Sequence, residues 1–317
     1  MKKSHFLLAL VSAVCLTFTG CKKNKEESPS PDSETLTQFF EKHEVKEQSF
    51  TINVDGESSV ITGEQGTQIT FPQSAFVTQN GTPATGQITI TLTEIYNASD
   101  MVLSNRPTTS NGQLLESGGE VYVAASLNGE PLRLAHRKNI LLQLPASEVE
   151  DNMQLFTGSL SSGVFNWTPL ETKTAPAPLT PTWTRDSLST SYYDQSNYIF
   201  SVTKLGWINC DRFYSIPNKT KIEVEITNRG DMEHTTAYLV FKDINSVSRF
   251  YEHSSEGHLR SGDIPVGEKV TIVAFSLKNG KEYFAMKEIT ITEDLFVHID
   301  LEETTEEMLL TSLENLN

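Results

Sequence analysis

Ile88-Thr89-Ile90-Thr91-Leu92 alternates apolar and polar side chains, and its neighbours repeat the pattern. A period of two sends every second side chain to one face of a pleated strand. Upstream, Gly63-Glu64-Gln65-Gly66-Thr67 leads into Ile69-Thr70-Phe71-Pro72 and then Ala75-Phe76. Downstream come Ser117-Gly118-Gly119-Glu120-Val121-Tyr122-Val123 and Ile140-Leu141-Leu142-Gln143-Leu144-Pro145. Asn80-Gly81, Asn111-Gly112 and Asn128-Gly129 fall between these runs. Asn-Gly is the strongest short-range signal for a tight hairpin, because both residues accept the positive φ it requires. Residues 61–144 therefore predict one β-sandwich module.

Outward from this module the chain divides readily. Phe50-Thr51-Ile52-Asn53-Val54 reads as a strand turning at Asp55-Gly56. Before it, residues 33–46 predict a short helix with Leu36, Phe39, Phe40 and His43 on one face and Asp32 or Ser33 as N-cap. Residues 22–32 are charged, then Ser/Pro-rich, the composition of a solvated tether. After Pro145, Met153-Gln154-Leu155-Phe156 and Gly163-Val164-Phe165-Asn166-Trp167 predict a further strand pair. Pro176, Pro178 and Pro181 cannot sit in a central strand, so a boundary is expected there.

A second set of strands opens at Tyr198. Lys221-Ile222-Glu223-Val224-Glu225-Ile226 alternates, whereas Tyr238-Leu239-Val240-Phe241 predicts burial on both faces. Val270 to Phe275 and Tyr283 to Met286 flank a hairpin at Asn279-Gly280. Thr304 and Glu307 form a capping box, followed by Leu309, Leu313 and Leu316 as a helical stripe. The expected fold is all-β: two β-sandwich domains in tandem, with a short N-terminal helix and a C-terminal capping helix. The expected parts are a signal peptide at 1–20, tether and helix at 21–48, a first sandwich at 49–170, a linker at 171–197 and a second sandwich at 198–317.

Several stretches carry resemblances. Gly-x-x-Gly before Ile69-Thr70-Phe71-Pro72, the Ala75-Phe76 step and the strand ending at Pro145 resemble the ZU-type β-sandwich modules of netrin receptors and ankyrins. Residues 103–110 and 114–119, with Leu205 to Phe213, are similar to runs in uncharacterised Gram-negative envelope lipoproteins. Some ZU-type modules cleave themselves at His-Phe-Ser, a tripeptide absent here. Ile264-Pro265-Val266-Gly267 feeding a hairpin resembles the non-catalytic transthyretin-like sandwiches of carboxypeptidases.

The N-terminus predicts where the protein resides. Lys2-Lys3 and the apolar run from Phe6 to Phe18 form a signal peptide too short to span a bilayer. Phe18-Thr19-Gly20-Cys21 resembles a lipobox, which makes Cys21 the lipid attachment site. No Asp follows Cys21, so the outer membrane is expected, on its periplasmic or cell-surface face. Asp186-Ser187-Leu188 resembles an O-glycosylation signal of envelope proteins and marks Ser187. A net charge of −16 disfavours nucleic acid and anionic membrane as partners and tolerates calcium or a basic protein surface; the expected partner is an envelope protein or glycan.

Candidate chemistry is sparse, and no cofactor is expected. Of Cys15, Cys21 and Cys210, the first leaves with the signal and the second is lipidated, so no disulfide framework forms within one chain. Cys210 is a candidate nucleophile, but Asp211 opposes thiolate formation while Arg212 favours it; His234, His253 or His258 would have to approach in space. His253 and His258 with Glu252 and Glu256 form the densest potential metal-ligand cluster, on a Ser/Gly-rich loop. Glu116 and Glu120 flank Gly118-Gly119 and would share a side only if the glycines continued the strand; a glycine pair also marks a bulge. Tyr192, Tyr193, Tyr198 and Tyr214 are candidates for stacking on sugars. The reading is a non-catalytic binding or assembly module anchored in the envelope. The alternatives are a glycan-binding accessory lipoprotein or an enzyme using Cys210 or His253 and His258.

Overall fold

A computed structural model describes residues 34–146, 149–161, 163–170, 172–174, 189–193, 197–252 and 257–317. Three of its hairpins lie at Asn-Gly pairs. Asn111 and Gly112 have φ of 49° and 78°, Asn128 and Gly129 53° and 85°, and Asn279 and Gly280 56° and 70°. Two successive left-handed residues give the turn whose twist matches that of paired strands. These turns join Thr109–Ser110 to Gln113–Leu127, Gln113–Leu127 to Glu130–Leu134, and Lys269–Lys278 to Lys281–Thr290.

The fold is all-β, with three short helices among the described residues. In the first sandwich one sheet runs Gln48–Asn53, Gln87–Ile95, Gln113–Leu127, Gly206–Phe213, Gln154–Ser161, Val164–Pro169. The other runs Thr172–Thr174, Ser189–Tyr193, Asn197–Val202, Ile140–Pro145, Gln68–Phe71, Ser59–Thr62. Ile90, Leu92, Val121 and Val123 from the first sheet meet Ile69, Phe71, Leu142 and Phe200 from the second, all buried. The alternation read in the sequence supplies these inward residues.

Strand pairing moves the expected domain boundary. Asn197–Val202 lies antiparallel to Ile140–Pro145, and Gly206–Phe213 inserts between Gln113–Leu127 and Gln154–Ser161. Both strands sit inside the first sandwich, which therefore continues to Phe213 and does not end at residue 170. The stretch expected as a linker adds strands Thr172–Thr174 and Ser189–Tyr193 to the second sheet. Its prolines mark an excursion within one domain; they lie, with Ser187, outside the described residues.

The second sandwich pairs a four-stranded sheet, Tyr251–Glu252, Leu259–Arg260, Glu223–Thr227 and Phe296–Asp300, with a five-stranded one. The latter runs Ser246–Arg249, Thr235–Phe241, Lys269–Lys278, Lys281–Thr290, Glu302–Thr304. Leu239 and Phe241 join Val224, Ile272, Val297 and Ile299 in the core between them. Tyr238 and Val240 point the other way, into an apolar layer with Phe39, Val102 and Leu313. That explains why Thr235–Phe241 is buried throughout.

Helices α1 (Leu36–His43), α2 (Ala98–Leu103) and α3 (Glu306–Glu314) supply this third layer. Thr35 caps α1 with a complete capping box to Gln38, and Phe39 packs 5.3 Å from the Phe275 ring. The cap is thus Thr35, inside the expected start, because its extended backbone and hydroxyl reach the free N–H of Gln38. For α3 the cap is Thr305, one residue beyond the expected Thr304, which is committed to pairing with Glu282. Residues 33–317 form one compact unit, since α1 and α2 precede the second sandwich in sequence yet cover its sheet.

Candidate functional site

The glycine pair Gly118-Gly119 determines the local geometry where the two sandwiches meet. Strand register shifts between Asn209 and Asp211, where Gly118 and Gly119 together face Cys210 alone, so the pair is itself the bulge. Gly119 has φ 120°, and its missing side chain leaves room for the Tyr96 ring. A Cβ on Gly118 would stand 3.0 Å from both the Cys210 carbonyl oxygen and the Tyr198 ring. Tyr96 and Tyr198 therefore close on bare backbone, and beside them lies a cleft of about 610 Å³. Its other walls include Glu116, Glu150 and the turn from Lys242 to Asn245 of the second sandwich.

Polar groups around the cleft bind one another. Arg212 grips Glu116 in a two-pronged pair, Nε to Oε2 at 2.8 Å and Nη2 to Oε1 at 3.0 Å, and reaches Glu150 at 3.1 Å. The Glu116 hydrogen bond raises the Arg212 pKa, against the opposing effect of burial. Tyr198 accepts a 2.6 Å hydrogen bond from the Glu150 amide, and burial raises its pKa. Tyr96 bonds Thr67 Oγ1 at 2.6 Å, and burial pushes its phenol far up. Asn245, in the left-handed region at φ 44°, donates to the carbonyls of Tyr96 and Ser117. Behind it, Thr108 and Val247 exchange hydrogen bonds across the seam, and the Thr108 hydroxyl meets Ser246 Oγ at 2.6 Å.

Glu120 and Asp211 form a second, sealed cluster on the same two strands. Burial pushes the Glu120 carboxyl well above the carboxylate range; Asp211 adds to this and Arg106 opposes it. Among the described residues, neither Glu120 oxygen has a hydrogen-bond donor. Asp211 is raised by burial too, although Ser117, Asn209 and the Gly118 amide donate to it. Arg106 stacks 4.5 Å from the Phe165 ring and 4.6 Å from Trp207.

The sequence candidates are distributed as follows. Cys210 is fully buried beneath Gly118, and burial and Asp211 both push its thiol well above the usual range. Glu116 and Glu120 are separated, the first engaged by Arg212 and the second sealed near Asp211. Tyr198 lies in the first core, and Tyr214 donates to Glu268 at 3.0 Å, its phenol pushed up to about 12 by burial. His258 packs 5.3 Å from the Phe296 ring, and His234 pairs with Asp231. Cys21, His253 and Glu256 lie outside the described residues, as do the side chains of Tyr192 and Tyr193. Among the described residues, no group of three or more His, Cys, Asp or Glu side chains is placed to hold a metal ion. Asn245 and the Glu120–Asp211 pair carry no sequence signal, because residues far apart in the chain create them.

The fold and cleft define a double β-sandwich with a polar crevice at its seam. No family model matches the sequence, and no curated protein matches it. A solved structure, the Bacillus anthracis TIE protein, aligns with 88% of this chain and 42% of its own length, at 11% identity and a TM-score of 0.20. A likeness at that score carries no argument about fold or function.

Proposed function

We propose that the protein is a lipid-anchored outer-membrane lipoprotein whose fused sandwiches act as a non-catalytic binding or assembly module. The observation that carries this reading is the state of the cleft. It is large enough for a small ligand or a partner's loop, yet its carboxylates Glu116 and Glu150 are both engaged by Arg212. A nucleophile or base must be poised by a partner that activates it. Here Arg212 is saturated by two carboxylates, and Cys210 lies below Gly118 with its thiol strongly protonated. Anchoring rests on the lipobox ending at Cys21; among the described residues no helix is long and apolar enough to cross a membrane.

The test is capture from envelope extract on immobilised protein, using wild type and Asp243→Trp. Asp243 is exposed on the cleft wall, so the indole fills the opening without disturbing the core. A discrete binder held by wild type and lost with Asp243→Trp is expected. Turnover of an envelope substrate that stops on alkylation of Cys210 would overturn the reading in favour of an enzyme.

A further inference from the structure

Away from the cleft, the outer face of the four-stranded sheet carries one continuous cross-strand row. Register places Tyr251 opposite Arg260, Arg260 opposite Glu223, and Glu223 opposite Phe296. Their neighbours Phe250, Leu259, Val224 and Val297 point into the core, so all four row residues point outward. The ends are aromatic, and Tyr251 and Phe296 are each 40% exposed. Large aromatics left open on a sheet face commonly mark a binding surface.

The centre of the row is polar and self-neutralised. Arg260 pairs with Glu223 at 3.5 Å, and in the adjoining row His298 Nδ1 meets Glu225 Oε2 at 2.7 Å. On the same face Asp300 Oδ1 accepts from the Thr227 hydroxyl at 2.7 Å, so its polar groups are held by neighbours within the sheet. His258 and His298 approach the Phe296 ring edge-on, at 5.3 and 5.0 Å, and fix its orientation. Thr109 bonds the Tyr251 side chain from the neighbouring sandwich. Both rings are therefore held before any ligand arrives, which lowers the entropy cost of binding.

These features select the ligand class. Four strands place the end rings about 14 Å apart, the span of an extended oligomer and not of a single small molecule. Rings at both ends suit the C–H faces of sugars, and the paired charges between them offer donors and acceptors to hydroxyls. A polyanion is disfavoured by the acidic chain. A peptide added at the edge strand Phe296–Asp300 meets Lys287, whose Nζ already donates to the His298 carbonyl at 3.1 Å. We infer that the outer face of this sheet, between Tyr251 and Phe296, binds a neutral polysaccharide laid across the strands. Tyr251 and Phe296 stack on sugar rings, while Arg260, Glu223 and His298 hydrogen-bond to hydroxyls. The inference rests on the binding-module reading and names a ligand class for a face distinct from the cleft.

Affinity electrophoresis of the full chain tests it, in gels containing soluble β-1,3-glucan, β-1,4-glucan, xylan or glucomannan, with alginate as the polyanionic comparison. At least one neutral polysaccharide is expected to retard the wild type, and alginate none. Tyr251→Ala and Phe296→Ala should each weaken retardation about tenfold and together abolish it, with unchanged circular dichroism and melting. Phe296→Tyr keeps the ring and should keep binding. Retardation by none of the four, or retardation insensitive to both alanine variants, overturns the inference. If that happens while the cleft still captures a binder sensitive to Asp243→Trp, the binding-module reading stands and only this ligand assignment falls.

Discussion

Glu94 occupies the space that a side chain on Gly63 would need: a Cβ built there stands 2.5 Å from the Glu94 Cδ. The carboxylate accepts from the amides of Gln65 and Thr67, both at 2.9 Å, and from Gln48 Nε2 at 2.7 Å. The Gly-x-x-Gly turn is thus a cradle for a buried carboxylate from a strand of the opposite sheet. Glu94→Ala leaves the buried Thr67 amide unpaired, at about 1–3 kcal/mol. Chemical denaturation should show Glu94→Ala as clearly destabilising and Gly63→Ala as destabilising too, since the carboxylate must move. A neutral result for Gly63→Ala would mean the cradle is looser than described.

Glu120 and Asp211 should give the protein a distinct pH dependence. Both carboxyls are raised in the folded state, so folding favours their protonated forms. Their contribution is fully present below the unfolded value of about 4 and is lost as pH rises through the folded values. Glu120→Gln mimics the protonated form, so its melting temperature should gain on wild type as pH rises from 5 to 8. An equal offset at both pH values would show that Glu120 does not titrate in this window.

Cys210 should behave as a packing residue. Iodoacetamide is expected to label it slowly in the folded protein near neutral pH and quickly after denaturation, since thiolate is the reactive form. Cys210→Ala should cost roughly 1–3 kcal/mol and leave cleft capture intact. Fast native labelling that slows with a His234 or His258 substitution would reverse this assignment.

Residues 214–317 produced alone should not form a well-behaved domain. Without α1 and α2, the outward faces of Tyr238, Val240, Val273 and Phe275 are uncovered. The fragment should bind a hydrophobic dye and aggregate, whereas residues 34–317 should melt cooperatively. Within the full chain, Phe39→Ala should cost about 3–5 kcal/mol. A soluble, cooperatively melting 214–317 fragment would show that the helical layer is dispensable.

Much of the fold was legible because period-two alternation and Asn-Gly pairs act locally. Ile88 to Leu92 and the hairpin at Asn279-Gly280 could be read without knowing their partners. The position of Gly206–Phe213 could not: its place between two distant strands depends on completing a sheet, and the proline-rich stretch before it imitates a linker. The candidate site was less legible still. Gly118-Gly119 announced a bulge, but the Arg212–Glu116 clasp spans 96 residues of sequence and Asn245 reaches the seam from the other sandwich. Phe296 and Tyr251 each look ordinary until strand register aligns them.

Docking α1 on the second sandwich has a mechanical consequence. A pull on the chain ahead of residue 34 reaches Leu36, Phe39 and Phe40 before any strand of the first sandwich, and their apolar seat includes Phe275 and Leu277. Tension would therefore load the C-terminal half of the chain first. Lys42 and His43 at the end of α1 both meet Glu306 on α3, so the same load draws on the last helix. The first sandwich meets that load through Ile95 and α2, which share the same apolar layer.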